Sequence, residues 1–459
     1  MTAGSEIANI LGSEHVKADM DSLAAYAIGG LVPNRAMLPA SAAEVAEIVR
    51  HAVAEKLAIV ATGARTKLSM GVPPSRYEIA VDLTRMDRVI SYDPGDLTLS
   101  VEPGIPLARL SGLLAEYEQM LPLGVLYGRQ TTIGGTICSG VEAPQRQLYG
   151  TARDFLLGAE FVTGDGVVAK SGGRVVKNVT GYDLHKLLIG SMGTLGIITK
   201  LHFKTFPMPK AVRGFIARFG RFEGALEMRF RIARSALSPM TLDLFSPGTA
   251  QLFAESAGAA IDREPMPNGL LIDNEWTLTT GYSGHDSLLA RYESELKKIA
   301  QESGATAVAI ASETLPAAWA RKREFVPIAL ASSPATTVIK IGVVPMKIKP
   351  TLAKISATVA ASDMKWVAMA RGVGVIYVAL LPESTDAQAK NCVVKLTKEI
   401  QAACTEMGGH ATVPWCPDSW KSEIAVSGVE SPDWAEMRKV KKAFDPAGIL
   451  SPGRFVGGI

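Results

Sequence analysis

Six glycines fall within residues 171–200, SGGRVVKNVTGYDLHKLLIGSMGTLGIITK, in two clusters flanking Lys177, Asn178, Tyr182 and Asp183. A backbone this rich in glycine either turns through φ > 0 or approaches another group closely. The second cluster, Gly190 to Gly196, runs directly into the β-branched strand residues Ile197, Ile198 and Thr199. The rest of the chain reads as a pocket built around this stretch.

Two further glycine loops lie upstream, at 62–67 and 131–140, each beside a strand-like run. Backbone N–H groups exposed in such loops bind phosphate without side-chain charge, and Arg65 and Lys67 add charge in the first. Each loop alone is equally a tight structural turn; three within 200 residues point to one large phosphate-bearing ligand. None reads GxGxxG or GxxxxGK[ST], so neither a Rossmann dinucleotide site nor a Walker A site is supported.

The 459 residues suffice for two or three domains. Hydrophobic residues at 47% and charged residues at 20% suit a globular protein with a large core. A net charge of +3 and no basic run argue against nucleic acid as partner. The four cysteines, Cys138, Cys392, Cys404 and Cys416, form no CxxC cluster, so no iron–sulfur site is expected on this chain and a reduced, cytoplasmic protein is. The first residues lack the basic-then-apolar pattern of a signal peptide. The longest strongly apolar run, residues 372–381, is too short to span a bilayer.

A lead-in covers residues 1–29. Ser41 and Glu44 then read as a capping box opening a helix with Val45, Ile48, Val49, Ala52 and Val53 on one face. Strands are predicted at 57–62, 78–83 and 97–102, a helix from Pro106 to about 117, and a hairpin of 155–163 with 167–170. Pro207 and Pro209 mark the boundary between a first domain, 30–207, and a second, 208–430. In the second, predicted strands 212–219, 276–281, 337–344 and 374–381 alternate with helices 287–302, 349–361 and 386–407. Two β–α–β passes suggest an α+β sheet with helices on one face, a pseudo-duplicated unit. Residues 431–459 form a last helix and a tail returning to the first domain.

Five ordered segments give the chain a resemblance to a known family: residues 62–67, Thr132-Ile133-Gly134-Gly135, Tyr149-Gly150 with Arg153-Asp154, 172–183, and 190–196. It resembles the FAD-binding flavoproteins of the vanillyl-alcohol-oxidase type, also called PCMH-type, closely over about residues 30–207, and within them the FAD-binding subunits of bacterial glycolate oxidases. The resemblance implies an α+β fold: a PCMH-type FAD-binding domain of two α+β subdomains, plus an α+β cap domain with a mainly antiparallel sheet. It also implies FAD contacts from Thr62, Gly63, Ala64, Arg65, Thr66, Lys67, Thr132, Gly134, Gly135, Ser139, Gly140, Tyr149, Gly150, Arg153, Lys177, Asn178, Tyr182, Gly196, Ile197 and Ile198.

The sequence departs from the family pattern in places. Ala64 and Arg65 stand where relatives carry glycine, so the loop shifts, or FAD binds more weakly, or Arg65 contacts phosphate. Thr66 occupies the position of the flavin-linking histidine of some relatives, so FAD is expected to be non-covalent. The histidine-rich metal motif of related enzymes is missing and the six histidines are scattered, so no metal site is expected. Arg153 and Asp154 read as a structural ion pair, and Lys177 and Asn178 as flavin contacts or turn caps. Catalytic residues are unassigned. Arg321, in a charged run, and Arg371, before a glycine turn, offer forks for a substrate carboxylate; His410, after Gly408-Gly409, is the one histidine expected in a site-facing late strand.

By resemblance the chain is a FAD subunit of a complex oxidising glycolate, a 2-hydroxy acid, to glyoxylate. Electrons would pass to an iron–sulfur subunit beside a sister FAD subunit, with peripheral placement at the inner membrane through partners. Two other readings stay open: a stand-alone FAD oxidoreductase of another 2-hydroxy acid, such as D-lactate, or of an alcohol; and a flavin-free assembly subunit.

Overall fold

A computed structural model describes residues 11–123, 126–128, 130–174, 181–255, 274–311 and 323–459. Its amino-terminal region contains two sheets. The first, mixed sheet runs in the order Val16–Lys17, Arg35–Met37, Ile79–Asp82, Ile59–Thr62, with the last three strands parallel. Helix Ala42–Glu55 makes the crossover to Ile59–Thr62. It begins as its sequence dictates: Ser41 Oγ accepts from Glu44 N–H at 3.2 Å, while Glu44 Oε2 accepts from Ala40 N–H at 2.8 Å. Val45, Ile48, Val49 and Ala52 are buried against Ile59, Ile79 and Val81. The second sheet is antiparallel, in the order Val89–Asp93, Thr98–Val101, Ile197–Lys204, Leu156–Val162, Val168–Gly172. The predicted hairpin is its last pair.

The carboxy-terminal region is one antiparallel sheet of eight strands. Their order is Ala307–Ala311, Val212–Phe219, Trp276–Ser283, Thr241–Phe245, Trp366–Arg371, Val375–Leu380, Thr337–Gly342, His410–Trp415. The duplication is plain in this order. Each half is a strand–helix–strand–strand–helix–strand run with its fourth strand at an outer edge and its second at the centre, where Thr241–Phe245 meets Trp366–Arg371. Helices Phe222–Arg234, Asp286–Glu302, Ile348–Ala360 and Ala387–Glu406 bury their apolar faces on one side of the sheet. Three strands escaped the sequence reading, Thr241–Phe245, Ala307–Ala311 and Trp366–Arg371, while His410–Trp415 is the late strand expected at His410. The three are short, five or six residues each, too brief for a period-2 pattern to set them apart.

Strand alternation decides what faces the amino-terminal region. Ile339, Ile341, Ile376 and Val378 point into the helical layer. Val338, Val375, Tyr377 and Ala379 point the other way and pack with Leu126, Met70, Tyr127 and Val141. The chain then returns: Ile59 N–H donates to the Ile449 carbonyl at 2.7 Å and Ser451 N–H to the Ile59 carbonyl at 2.7 Å. No helix among the described residues is long and apolar enough to cross a membrane.

Candidate cofactor and substrate site

Strand Ile59–Thr62 delivers the loop 62–67 to the junction between the two sheets. Here glycine is required by a close approach: a Cβ on Gly63 would lie 2.2 Å from Thr132 Oγ1. Thr132 caps helix Ile133–Ser139 by accepting from Gly135 N–H at 3.3 Å. That helix ends at Gly140, with φ of 60°, whose Cα side faces Gly190; a Cβ there would stand 3.0 Å from the Gly190 Cα. Gly190 N–H donates to the Ile137 carbonyl at 2.9 Å and Met192 N–H to the Cys138 carbonyl at 2.9 Å. The three glycine loops therefore meet at one place.

Lys67 reaches from the first loop to the second. Its Nζ donates to Thr131 Oγ1 at 2.5 Å and to Thr66 Oγ1 at 3.1 Å. Burial pushes its pKa down to about 8, with Glu324 opposing. Glu324, buried at the start of helix Phe325–Ser332, accepts from Tyr127 N–H at 2.9 Å and Gly128 N–H at 3.2 Å. The carboxy-terminal region thus holds the chain that precedes Thr131.

A groove of three adjoining cavities follows the loops. One, of about 90 Å³, is bordered by Thr62 through Lys67, Thr132, Gly135, Ser139 and Met192. A second, of about 40 Å³, continues past Gly134 to Gly196 and Ile198. Thr62 Oγ1, on the wall of both, is buried and has no hydrogen-bond partner. The third, of about 360 Å³, shares Ser139 with the first and opens between the two regions.

Four cations line that third cavity: Arg146, Arg153, Lys186 and, from the eight-stranded sheet, Lys340. Strand alternation puts Lys340 on the side of its cross-strand neighbour Tyr377. Lys340 lies 3.2 Å from Glu142, which Arg146 also contacts. Burial works against both charges, but for Lys340 the neighbouring Tyr377 and Glu142 prevail and raise its pKa. For Glu142 the cations Lys340 and Arg146 prevail and lower it. The group is ionised at neutral pH, and its cations outnumber its carboxylate.

Of the residues expected at the site, Thr62, Gly63, Ala64, Arg65, Thr66, Lys67, Thr132, Gly134, Gly135, Ser139, Gly196 and Ile198 border the two smaller cavities, and Ser139, Gly140, Gly150 and Arg153 border the third. Ile197 is buried in the core beneath. Lys177, Asn178 and Arg321 lie outside the described residues. Several expectations are corrected. Tyr149 packs edge-on against Phe206, with ring centroids 5.2 Å apart, and borders none of the three cavities. Tyr182 is 89% exposed. Asp154 accepts from Thr151 N–H at 2.7 Å as a helix cap, and its expected pairing with Arg153 is replaced by that bond. His410 is exposed on an edge strand. Arg371 is buried in the sheet, with Nη1 donating to Asp243 Oδ1 at 3.2 Å and Nε without a partner. Sequence reading missed Glu142, Arg146, Lys186 and Lys340. For Lys340 the available signal was one polar residue at an alternating position in an otherwise apolar strand. Among the described residues no group of three or more His, Cys, Asp or Glu is placed to hold a metal ion.

Comparison with known proteins matches residues 33–172 to a FAD binding domain and residues 208–455 to the C-terminal domain of FAD linked oxidases. Glycolate oxidase subunit GlcE of Escherichia coli is 37% identical over 166 residues, 36% of this chain and 47% of that protein, so the chain matches about half the length of that relative. Glycolate oxidase subunit GlcD of Bacillus subtilis is 24% identical over 426 residues, covering 92% and 89% of the two chains. D-lactate dehydrogenase of Anaerostipes hadrus is 24% identical over 445 residues, covering 95% and 91%. Among solved structures, p-cresol methylhydroxylase with substrate bound superposes with a TM-score of 0.78 at 18% identity, over 98% and 96% of the chains, which is a likeness of fold.

Proposed function

Because the chain belongs to the FAD-linked oxidases, as a FAD-dependent oxidoreductase acting on CH–OH groups, we propose that it oxidises a 2-hydroxy acid as a self-contained enzyme with non-covalently bound FAD. The observation that carries this is the continuous groove from the 62–67 loop to the cationic interdomain cavity. The loops fit the cofactor: Thr62 Oγ1, on the groove wall, is a buried polar atom in want of a partner. When bound, FAD supplies the two-electron acceptor. The backbone of 62–67, with Lys67, Thr132, Gly134 and Gly135, holds its diphosphate, while Gly196 and Ile198 line the inner end. Ser139, Gly140, Gly150 and Arg153 lie along the wall nearer the substrate.

Lys340 and Arg146 attract the substrate carboxylate, and Glu142 keeps both in place. The apolar packing around Leu126 and Tyr377 excludes water from the junction. Whole-length similarity to a D-lactate dehydrogenase supports a self-contained enzyme, and that to the glycolate oxidase subunit GlcD supports a member of an assembly. The 37% identity to GlcE favours a second reading, a FAD subunit of a larger glycolate-oxidising assembly that passes electrons to a partner.

The test is to purify the chain alone, record its flavin spectrum, and follow bleaching by glycolate, D-lactate and D-2-hydroxyglutarate under anaerobic conditions. Bleaching by one of them supports the self-contained enzyme. Flavin that no acid bleaches supports the subunit reading, and folded protein that takes up no FAD rejects both. Flavin released on acid precipitation checks that it is non-covalent.

A further inference from the structure

Within the loop 62–67 one residue with a side chain, Arg65, has positive φ, at 60°. Such a backbone costs a non-glycine residue about 1–3 kcal/mol and persists where the surroundings over-determine it. The surroundings here are specific. Arg65 Nη1 donates to Asp82 Oδ2 at 2.6 Å, and its guanidinium lies over the Tyr26 ring, 4.6 Å from the centroid. Tyr26 donates its hydroxyl to the same Asp82 oxygen at 2.7 Å. The other oxygen accepts from Thr84 N–H at 3.0 Å and Thr84 Oγ1 at 2.6 Å. Asp82 and Tyr26 are each 1% exposed. Asp82 pairs in register with Thr62, so the clamp closes where the loop leaves the sheet.

We propose that Arg65 is a positioning residue for FAD: it shapes the loop by folding back onto Asp82 and Tyr26, and does not itself neutralise the diphosphate. A buried carboxylate must be paired, and pairing this one requires Arg65 in its left-handed conformation. The ion pair thereby offsets the backbone strain and orients the loop's N–H groups before the ligand arrives. Tyr26, far from the groove in sequence and outside the cavities, becomes part of the cofactor site. This inference rests on the FAD reading above.

The experiment titrates the flavin-free full-length chain with FAD by flavin fluorescence, at several salt concentrations, alongside its thermal midpoint. Asp82→Asn and Tyr26→Phe are each expected to raise the Kd, about tenfold for Asp82→Asn. Arg65→Gly is expected to raise Kd and Arg65→Lys to recover much of the affinity, while the Arg65→Gly, Asp82→Asn double variant, unchanged in net charge, keeps the salt dependence of the unaltered chain. A Kd for Asp82→Asn equal to or below that of the unaltered chain would mean that the freed Arg65 meets phosphate, and overturns the proposal. So does a flattened salt dependence in the Arg65→Gly, Asp82→Asn double variant, which removes the pair without changing the net charge, so that a loss of slope reports a phosphate contact by Arg65. Should Asp82→Asn fail to fold, Tyr26→Phe decides: an unchanged Kd, whatever its thermal midpoint, rejects the proposal. An unaltered chain that takes up no FAD rejects the cofactor reading and this inference with it; uptake by the unaltered chain with unchanged variants rejects this inference alone.

Discussion

Arg454 Nη2 donates to the Met70 carbonyl at 2.9 Å, joining residues 384 positions apart. The same nitrogen donates to the Leu68 carbonyl at 2.8 Å and Nε to that of Val72 at 3.3 Å. Lys421 Nζ donates to the Ser69 carbonyl at 2.8 Å. The stretch that follows the 62–67 loop is therefore fastened by the tail and by the carboxy-terminal region. Burial lowers the Arg454 pKa to about 10, so it is charged at any working pH. Arg454→Met leaves these carbonyls without that donor and is expected to cost roughly 2–4 kcal/mol, read as a shift in the urea unfolding midpoint.

Gly63→Ala places a methyl group against Thr132 Oγ1 and the helix it caps. Overpacking of this kind costs about 1–3 kcal/mol. Because both residues border the groove, FAD affinity is expected to fall about tenfold or more, measured by fluorescence titration. Unchanged affinity would remove the two loops from the cofactor site.

Lys67 gives FAD affinity a pH dependence. With its pKa at about 8, it carries charge below that pH and loses it above. The charged form favours a diphosphate, so the Kd for FAD is expected to rise as pH passes upward through about 8, and the bound anion moves the transition somewhat higher. Lys67→Met is expected to weaken binding at pH 7 and to abolish this dependence.

Lys340→Met removes a cation from the interdomain cavity and leaves Glu142 to Arg146. KM for the oxidised acid is expected to rise about tenfold or more, the scale of one charge-assisted hydrogen bond, with a smaller change in kcat. Equal KM values in the variant and the unaltered enzyme would place the substrate carboxylate elsewhere.

His202 makes the fold acid-sensitive. Burial, with Lys200 and Arg174 nearby, pushes its pKa down to about 4, and its Nδ1 lies 2.7 Å from Ser100 Oγ. The folded imidazole is neutral while the unfolded one takes a proton below about 6.5, so stability falls as pH drops from about 6.5 to about 4. His202→Gln is expected to flatten this slope by about 1–2 kcal/mol, allowing for partial exposure, as measured by denaturation at both ends of the window.

Elements were legible in proportion to how local their signals were. Ser41 and Glu44 announced helix Ala42–Glu55, because a cap is made by residues three apart. The glycines at 63, 134, 140 and 190 announced their loops, because a missing Cβ is visible in any sequence. The edge strand Ala307–Ala311 announced nothing; it is a strand because Val212–Phe219 lies beside it. Likewise, no local pattern tells that Arg371 Nη1 donates to Asp243, 128 residues away.

By itself, then, the sequence marked the three glycine loops, the cap of the first long helix and the α+β alternation of the second half, since turns, caps and hydrophobic periods are short-range. Tertiary structure decided which charges reach the groove. Lys340 enters the cavity, Glu324 holds the turn before Thr131, and Arg65 turns away to Asp82. Each outcome depends on strand register and on which face of a sheet a residue takes, and a slip of one residue would reverse it.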